Sequence, residues 1–456
     1  MTQYPTESAS PVAGLDSTQS RMTLHRRLIQ ISLSLYLVAT WTSIAGMEIF
    51  GWLTFVLTMS YAFRKPADSP ASLGELFSFL PWKAMLGLYL VTIVGIFVNG
   101  SPEADKVFII GSQRWIILLI STSFALFLAP PTLRGYRLFL FVMAVVAGYA
   151  IFQSFTGIDL LRPGSHRAVQ PLAVRQEISL WRSAGLFGSP MHYVYIVGQH
   201  VCLPLAVFFV FPKTAQRLRW ISLAVFALTA ASLITTYVRG GWIAMAAAYL
   251  VMAWLASRKI FLWVAASGAA AFTALFIGLV QFRERLLSLF DSKYTSNSDR
   301  LNLWKMNWEM FKDYPFLGIG WEENETRACE YVNCNAIPKP FTGHAHNNYI
   351  QALSGMGIVG FVSYMVFIGF FLWLTVRLWN RLPKELYWAR ALTLACLGAQ
   401  VQLHIGGFTE CNFKAGATNH NFMVVLGLVA AMSLMEAKGL IGKTFATKNL
   451  ANWPRA

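Results

Sequence analysis

Long apolar runs recur along almost the whole chain, and they constrain its fold more than any other feature. Each run has few charged residues and is long enough, at about 20 residues, to cross a bilayer as an α-helix. The composition agrees, with 56% hydrophobic and only 13% charged residues. The sequence therefore predicts an all-α integral membrane protein with about twelve transmembrane helices.

One long segment interrupts this pattern and divides the chain. Residues 281–347 are polar, aromatic and charged, and they end in two histidines beside another apolar run. The first residues are polar and rich in Ser, Thr and Pro, which is typical of disorder. The predicted organisation is a disordered cytoplasmic tail (1–27), about nine transmembrane helices (28–280), a large loop with short helices (281–347), about three transmembrane helices (348–437) and a cytoplasmic tail (438–456).

The distribution of Lys and Arg predicts the orientation of the chain. Every alternate loop between apolar runs carries basic residues, and the positive-inside rule places these loops and both termini in the cytoplasm. The segment 281–347 then faces outward, and its own basic residues do not contradict this because long loops cross largely regardless of charge. The outward arginines indicate an anionic partner such as phosphate. A solvated basic loop beside anionic headgroups is the alternative.

Two of the five cysteines, Cys329 and Cys334, lie in the long loop. Since an outward loop meets an oxidising compartment, we expect a disulfide that closes a small ring between them. Free or buried thiols are the alternative. The other three cysteines lie in or beside apolar runs, so the chain has no disulfide framework.

The motif GHAHNNY at residues 343–349 is the strongest candidate in the chain for a catalytic or binding role. A histidine acts as a general base near neutral pH with little perturbation, and neighbouring amides can orient an imidazole or a sugar hydroxyl. Zinc binding through His344 and His346 is an alternative, but the loop has no third histidine and no acidic residue at ligand spacing. A structural hydrogen-bonding role is another. We predict that His344, His346, Asn347 and Asn348 meet the substrate, without a metal.

Two arginines follow or precede apolar runs. Arg239, in TTYVRGGW, stands nearly alone between two runs, and the two glycines after it make a tight turn with an accessible backbone. The guanidinium binds phosphate with two parallel hydrogen bonds, so both Arg239 and Arg182, in WRSAGLFGSP, are candidate phosphate ligands. An anchor at the membrane interface is the alternative for each.

Two further segments are predicted to lie near the histidine and arginine motifs. Ser298 or Asp299 can begin a helix that ends at Tyr314 and Pro315, either at the membrane interface or packed in a soluble cap. Polar residues also gather around the last outward loop, where they either close over a site or provide ordinary loop polarity: His404, Glu410, Asn412, Lys414 and His420.

Together these motifs resemble those of the O-antigen ligase and O-antigen polymerase superfamily of bacterial envelope glycosyltransferases. The resemblance rests on the two arginine motifs and on a longer, more specific block that reads RLNLW (300–304), DYPFLGIG (313–320), HNNYI (346–350) and GIVG (357–360). It implies a GT-C-like fold in the bacterial inner membrane, with a periplasmic loop before the late helices.

The resemblance also implies the reaction. Family members transfer a glycan from undecaprenyl pyrophosphate to a hydroxyl of lipid A-core, of another repeat unit or of a protein, with no metal or other cofactor. By position, His346 is expected to be the base, and the His-Asn-x-Tyr pattern favours it over His344. Arg239 and Arg300 are expected to hold the pyrophosphate, with help from Arg182. The expected partners are the lipid-linked donor, the lipid A-core acceptor and membrane lipids, with no nucleic acid.

One departure favours a ligase over a polymerase. Some polymerases carry an Arg-x10-Gly pattern in two outward loops. In this chain Gly does not stand eleven positions after any of these outward arginines: Arg162, Arg167, Arg175, Arg182, Arg300 and Arg327. A polymerase therefore remains the alternative within the family. A transporter of lipid-linked glycan is less favoured, because it predicts internal repeats and mid-membrane charges.

Overall fold

The computed structural model describes residues 13–64, 71–99, 102–163, 169–171, 181–291, 295–321, 323–333, 344–413 and 416–445. These residues are helical almost throughout, as predicted. The helices are α1 (Ala13–Thr42), α2 (Ile44–Phe63), α3 (Leu73–Phe77), α4 (Trp82–Asn99), α5 (Pro102–Leu128), α6 (Leu133–Thr156), α7 (Pro190–His200), α8 (Cys202–Val210), α9 (Gln216–Ile234), α10 (Arg239–Ala256), α11 (Arg258–Gly278), α12 (Val280–Leu287), α13 (Thr295–Asp313), α14 (Glu323–Thr326), α15 (Ala328–Tyr331), α16 (Asn348–Arg381), α17 (Tyr387–Gly406), α18 (Gly416–Ala437) and α19 (Ile441–Phe445).

Three short elements complete the described chain. A 3-10 turn covers Lys213–Ala215, and two strands of two residues each, β1 (Gln170–Pro171) and β2 (Trp181–Arg182), pair antiparallel. This small pairing is the exception to the all-α prediction. It is too short to form a layer of its own, and it lies between α6 and α7 in the chain.

The membrane class of the chain is confirmed. Within the described ranges, nine helical segments are long and apolar enough to cross a bilayer, with α7 and α8 together forming one of them. The other three predicted spans fall on α1, on the Trp115–Leu128 part of α5 and on α17. The predicted count of twelve therefore remains a prediction for these three helices.

Both segments that were predicted as tails contain helical residues, so each tail is shorter in the structure than predicted. Helix α1 begins at Ala13, so residues 13–27 are helical rather than disordered. The last tail likewise contains the short helix α19, whose Ile441 and Phe445 are buried. Burial of these two apolar side chains stabilises the short helix. The polar residues around them hid this helix in the sequence.

The most buried helices are α17 and α18. Helix α18 packs against α5, and α17 packs against α8 and α10, so that both are covered on nearly every side. Helix α11 is the opposite case, because none of its residues is buried. A helix that is apolar yet uncovered suits a lipid-facing position, which agrees with its apolar sequence.

The turn PFLGIG packs against a break in helix α16. Gly357 has φ of 61°, and Ile358 N and Ile319 N bond across the break to Pro315 O and Ser354 O. Gly318 also has a positive φ, and a Cβ there would overlap the backbone of Met356. Both glycines are needed because the turn and α16 approach backbone to backbone. This contact fixes the segment after α13 to the start of α16.

Candidate active site

His346 lies in the turn that leads into α16. Its φ is 45°, a left-handed conformation that a residue with a Cβ rarely adopts. Such strain persists only where surrounding contacts enforce it, and it is commonly found at functional sites. The side chain is 28% exposed, so the ring can be reached from outside while being held by the protein.

The partner of His346 is Glu410, in the loop between α17 and α18. The distance from His346 Nδ1 to Glu410 Oε1 is 2.9 Å, and the carboxylate is only 12% exposed. Burial by itself raises the pKa of Glu410, but the hydrogen bond from His346 and the charges of His346, His344 and Arg300 outweigh it, so the pKa lies below its ordinary value. The carboxylate is therefore ionised near neutral pH. The sequence placed Glu410 among polar residues of the last outward loop, which either close over a site or provide ordinary loop polarity.

Asn347 and Asn348 hold the two loops together. Asn347 caps α16 by accepting from Tyr349 N and Ile350 N, and its Nδ2 donates to Phe408 O. Asn348 N donates to Gly407 O at 2.7 Å, and its side chain bonds Asn412. Both are buried, at 6% and 4% exposure. This bonding favours the structural alternative for the two asparagines over the predicted contact with substrate.

Ala345, between the two histidines, is held from two directions. Its carbonyl accepts from Trp304 Nε1 on α13 at 2.8 Å, and its N–H donates to Gln351 Oε1 on α16 at 2.9 Å. Gln351 Nε2 donates in turn to Asn324 on α14. The predicted helix around Trp304 is thus present, and it serves to fix the histidine turn.

His344 lies beside His346. The ring centroids are 4.0 Å apart, and His344 Nδ1 accepts from the backbone N–H of His346 at 3.3 Å. A ring nitrogen of His344, a ring nitrogen of His346 and a carboxylate oxygen of Glu410 all lie within 4.8 Å of one another. His346 contacts the carboxylate directly, which supports its assignment as the base.

Arg300 and Arg239 belong to two helices that lie beside this group. Arg300, on α13, is close enough for its positive charge to act on Glu410. Arg239 begins α10, is 5% exposed, and donates to Ser288 Oγ at 2.6 Å and Asn297 Oδ1 at 2.9 Å. A Cβ at Gly240, the next residue, would overlap Thr409. The start of α10 therefore lies against the loop that carries Glu410.

The side chain of Arg182 is held by hydrogen bonds to the protein, next to the turn that precedes Arg239. Its Nε donates to Thr236 O at 3.0 Å and its Nη1 to Gln170 at 2.9 Å. The neighbouring Ser183 bonds Thr235, so this strand lies against the turn that precedes Arg239. The structure thus brings both predicted arginine motifs to the same end of the bundle and shows Arg182 supporting the second motif.

His192 is a site residue that the sequence did not indicate. It lies in the first turns of α7, and the charge of Glu410 acts on its ring. Among the described residues its buried Nδ1 has no hydrogen-bond partner. The only local signal was the Ser189 cap before it, which marks a helix start and says nothing about the direction of the ring.

The cysteine prediction is partly outside the described residues. Cys329 is disulfide-bonded, whereas Cys202, Cys396 and Cys411 form no disulfide. The predicted partner, Cys334, lies outside the described residues, so the pairing stays a prediction. Cys411 instead accepts a hydrogen bond from Asn347 N at 3.3 Å, directly beside Glu410.

Part of the chain matches a known protein family. Residues 224–365, which contain Arg239, Arg300 and both histidines, match the family model described as O-antigen ligase. No curated protein matches the chain. A solved structure titled "Structural coordination of polymerization and crosslinking by a peptidoglycan synthase complex" shares 14% identity and a TM-score of 0.43, covering 78% of this chain and 97% of that chain. This last likeness is too distant for a functional comparison.

Proposed function

We propose that this chain belongs to the O-antigen ligase and polymerase superfamily and is a periplasm-facing ligase that moves a glycan from undecaprenyl pyrophosphate to a hydroxyl of lipid A-core. The observation that carries the proposal is the His346–Glu410 pair with Arg300 beside it. A base and a cation at one place are what displacement of a sugar from a pyrophosphate needs.

His346 is the general base of the proposed reaction. Its Nδ1–H donates to Glu410, which leaves Nε2 as the atom that accepts the proton of the acceptor hydroxyl. The ionised carboxylate also stabilises the imidazolium that forms. The acceptor oxygen bonds to the anomeric carbon as the bond to pyrophosphate breaks, so the configuration inverts.

The arginines stabilise the leaving group. The pyrophosphate departs with the electron pair of the broken bond, and guanidinium groups bind its oxygens through charge-assisted hydrogen bonds. Arg300 is the nearest candidate because its charge reaches Glu410. Arg239 is the second, held by Ser288 and Asn297 at the start of α10. The surrounding frame is GT-C-like and lies in the inner membrane, with both termini cytoplasmic.

A transfer assay tests the proposal and separates it from its alternative. Purified protein is given an undecaprenyl-pyrophosphate-linked glycan with lipid A-core, and the products are resolved by gel and mass spectrometry. A single transfer to the core is expected for a ligase. A ladder growing on the carrier without acceptor contradicts the ligase assignment and favours a polymerase.

A further inference from the structure

We propose that His344, His346 and Glu410 form a zinc-binding site and that zinc bound there inhibits glycan transfer. The inhibitory part depends on the proposed function of His346, whereas the binding part does not. The two histidines come from the turn before α16 and the glutamate from the loop after α17. The fold therefore supplies the third ligand that the long loop lacks.

The geometry of the three side chains suits a small ion. Their ligand atoms already lie within 4.8 Å of one another. Ligand atoms around a tetrahedral zinc are about 3.3 Å apart, because each lies about 2.0–2.2 Å from the ion. His346 Nδ1 and Glu410 Oε1 are 2.9 Å apart, so this pair has to open by only about 0.4 Å to hold the ion once the shared proton has moved to Nε2. Small rotations of His344 bring the third ligand into range.

A second observation concerns the other oxygen of the carboxylate. Glu410 Oε2 is buried and has no hydrogen-bond partner among the described residues. A buried acceptor without a partner is costly, and a cation or a water satisfies it. His346 is 28% exposed, so an ion from outside can reach the group.

The donor set selects the metal. Two imidazole nitrogens and one carboxylate favour zinc, whereas magnesium and calcium prefer oxygen ligands throughout. Three protein ligands leave the fourth position to water, as at an open zinc site. The positive charge of Arg300 acts on Glu410 and opposes a second cation. Binding is therefore expected to be reversible and weaker than at a structural zinc site.

Occupancy has a simple chemical consequence. Zinc binds the Nδ1 lone pair of His346 after the Nδ1 proton has moved to Nε2, and it binds the Glu410 oxygen that orients the ring. Nε2 then carries a proton and cannot accept one, and Glu410 no longer fixes the imidazole or balances its charge. The ring also turns toward the ion and away from the acceptor hydroxyl. Zinc is thus expected to act as an inhibitor, and a chelator to restore the rate.

Direct binding tests the site without using the reaction. Metal-stripped, tag-free protein is titrated with zinc chloride by calorimetry, and bound metal is counted after dialysis. One zinc per chain is expected, with binding lost in His344→Ala and in Glu410→Gln. His25→Gln is the matched control, because His25 on α1 bonds Leu57 O on α2 and is not one of the three ligands. Zinc binding that is absent in the parent, or equal in all three variants, overturns the site.

Transfer assays with added zinc test the inhibition. Each protein is compared with its own zinc-free rate, and the parent is expected to lose activity that EDTA restores, while magnesium has no effect. Bound zinc with an unchanged transfer rate overturns the inhibitory role. A chain that binds zinc but transfers no glycan contradicts the proposed function and leaves the binding site standing.

Discussion

Replacing Glu410 by Gln tests how the base is activated. The substitution keeps the shape of the side chain and an oxygen that can accept from His346 Nδ1, but it removes the negative charge 2.9 Å from the ring. A hydrogen bond to a charged group contributes about 1.5–3 kcal/mol and a neutral one about 0.5–1.5 kcal/mol, so loss of the charge alone costs about 1–1.5 kcal/mol. Each 1.36 kcal/mol is about tenfold in rate, so kcat is expected to fall about 5- to 13-fold.

The assay measures kcat and KM for the lipid-linked donor separately. The loss is expected in kcat, because the carboxylate stabilises an imidazolium that forms only as the reaction proceeds. KM for the donor should rise little or fall, because the change removes a negative charge near the binding site of an anion. Thermal unfolding in detergent verifies that the variant is folded.

Glu330→Gln is the control for removal of a carboxylate. Glu330 pairs with Arg327 in the long loop, and its side chain is exposed. A surface pair of this kind contributes about 0–1 kcal/mol, so neither kcat nor stability should change much. Unchanged kcat in Glu410→Gln, or an equal loss in Glu330→Gln, refutes the assignment of Glu410.

Four further predictions concern the same site. His346→Ala should abolish transfer while the protein remains folded and inserted, and near-normal activity would remove His346 as the base. Arg239→Lys should lower activity strongly, because a point charge cannot reproduce the fork that binds Ser288 and Asn297; full activity would make Arg239 an anchor. Gln351→Met should lower kcat and Tm together, because Ala345 N and Asn324 each lose a buried partner at about 1–3 kcal/mol, and parental kcat would show that this contact does not position His346. EDTA should not abolish transfer, and loss of activity restored by zinc would show that the reaction needs a metal.

Much of the site could be predicted because its residues lie in local patterns. The helix Thr295–Asp313 ends where the sequence predicted, before Tyr314 and Pro315, although it begins before the predicted capping residues Ser298 and Asp299, which lie inside it. The start of α16 follows from the Asn347 cap before an apolar run. The family resemblance drew on the same local segments, which is why it could be recognised before the fold.

The roles of single polar residues were less predictable. Asn347 and Asn348 sit in the motif like substrate ligands, yet the structure buries both and bonds their amides to the α17–α18 loop. A sequence motif shows which groups are near each other, but not whether protein or substrate accepts their hydrogen bonds. Burial decides this, because a buried amide must find a protein partner.

The sequence by itself determined the membrane class, the positions of most helices and the segment that contains the two candidate histidines. Apolar length and capping residues act locally, so they can be recognised without a fold. Only the tertiary structure decided that Glu410, 64 residues from His346, is its partner, and that the charge of Glu410 also acts on His192. Helix packing determines which loops come close together, and a local sequence pattern does not show this. The arrangement of α16 and α17 therefore brings the proposed base and its carboxylate partner together from two loops that are far apart in the sequence.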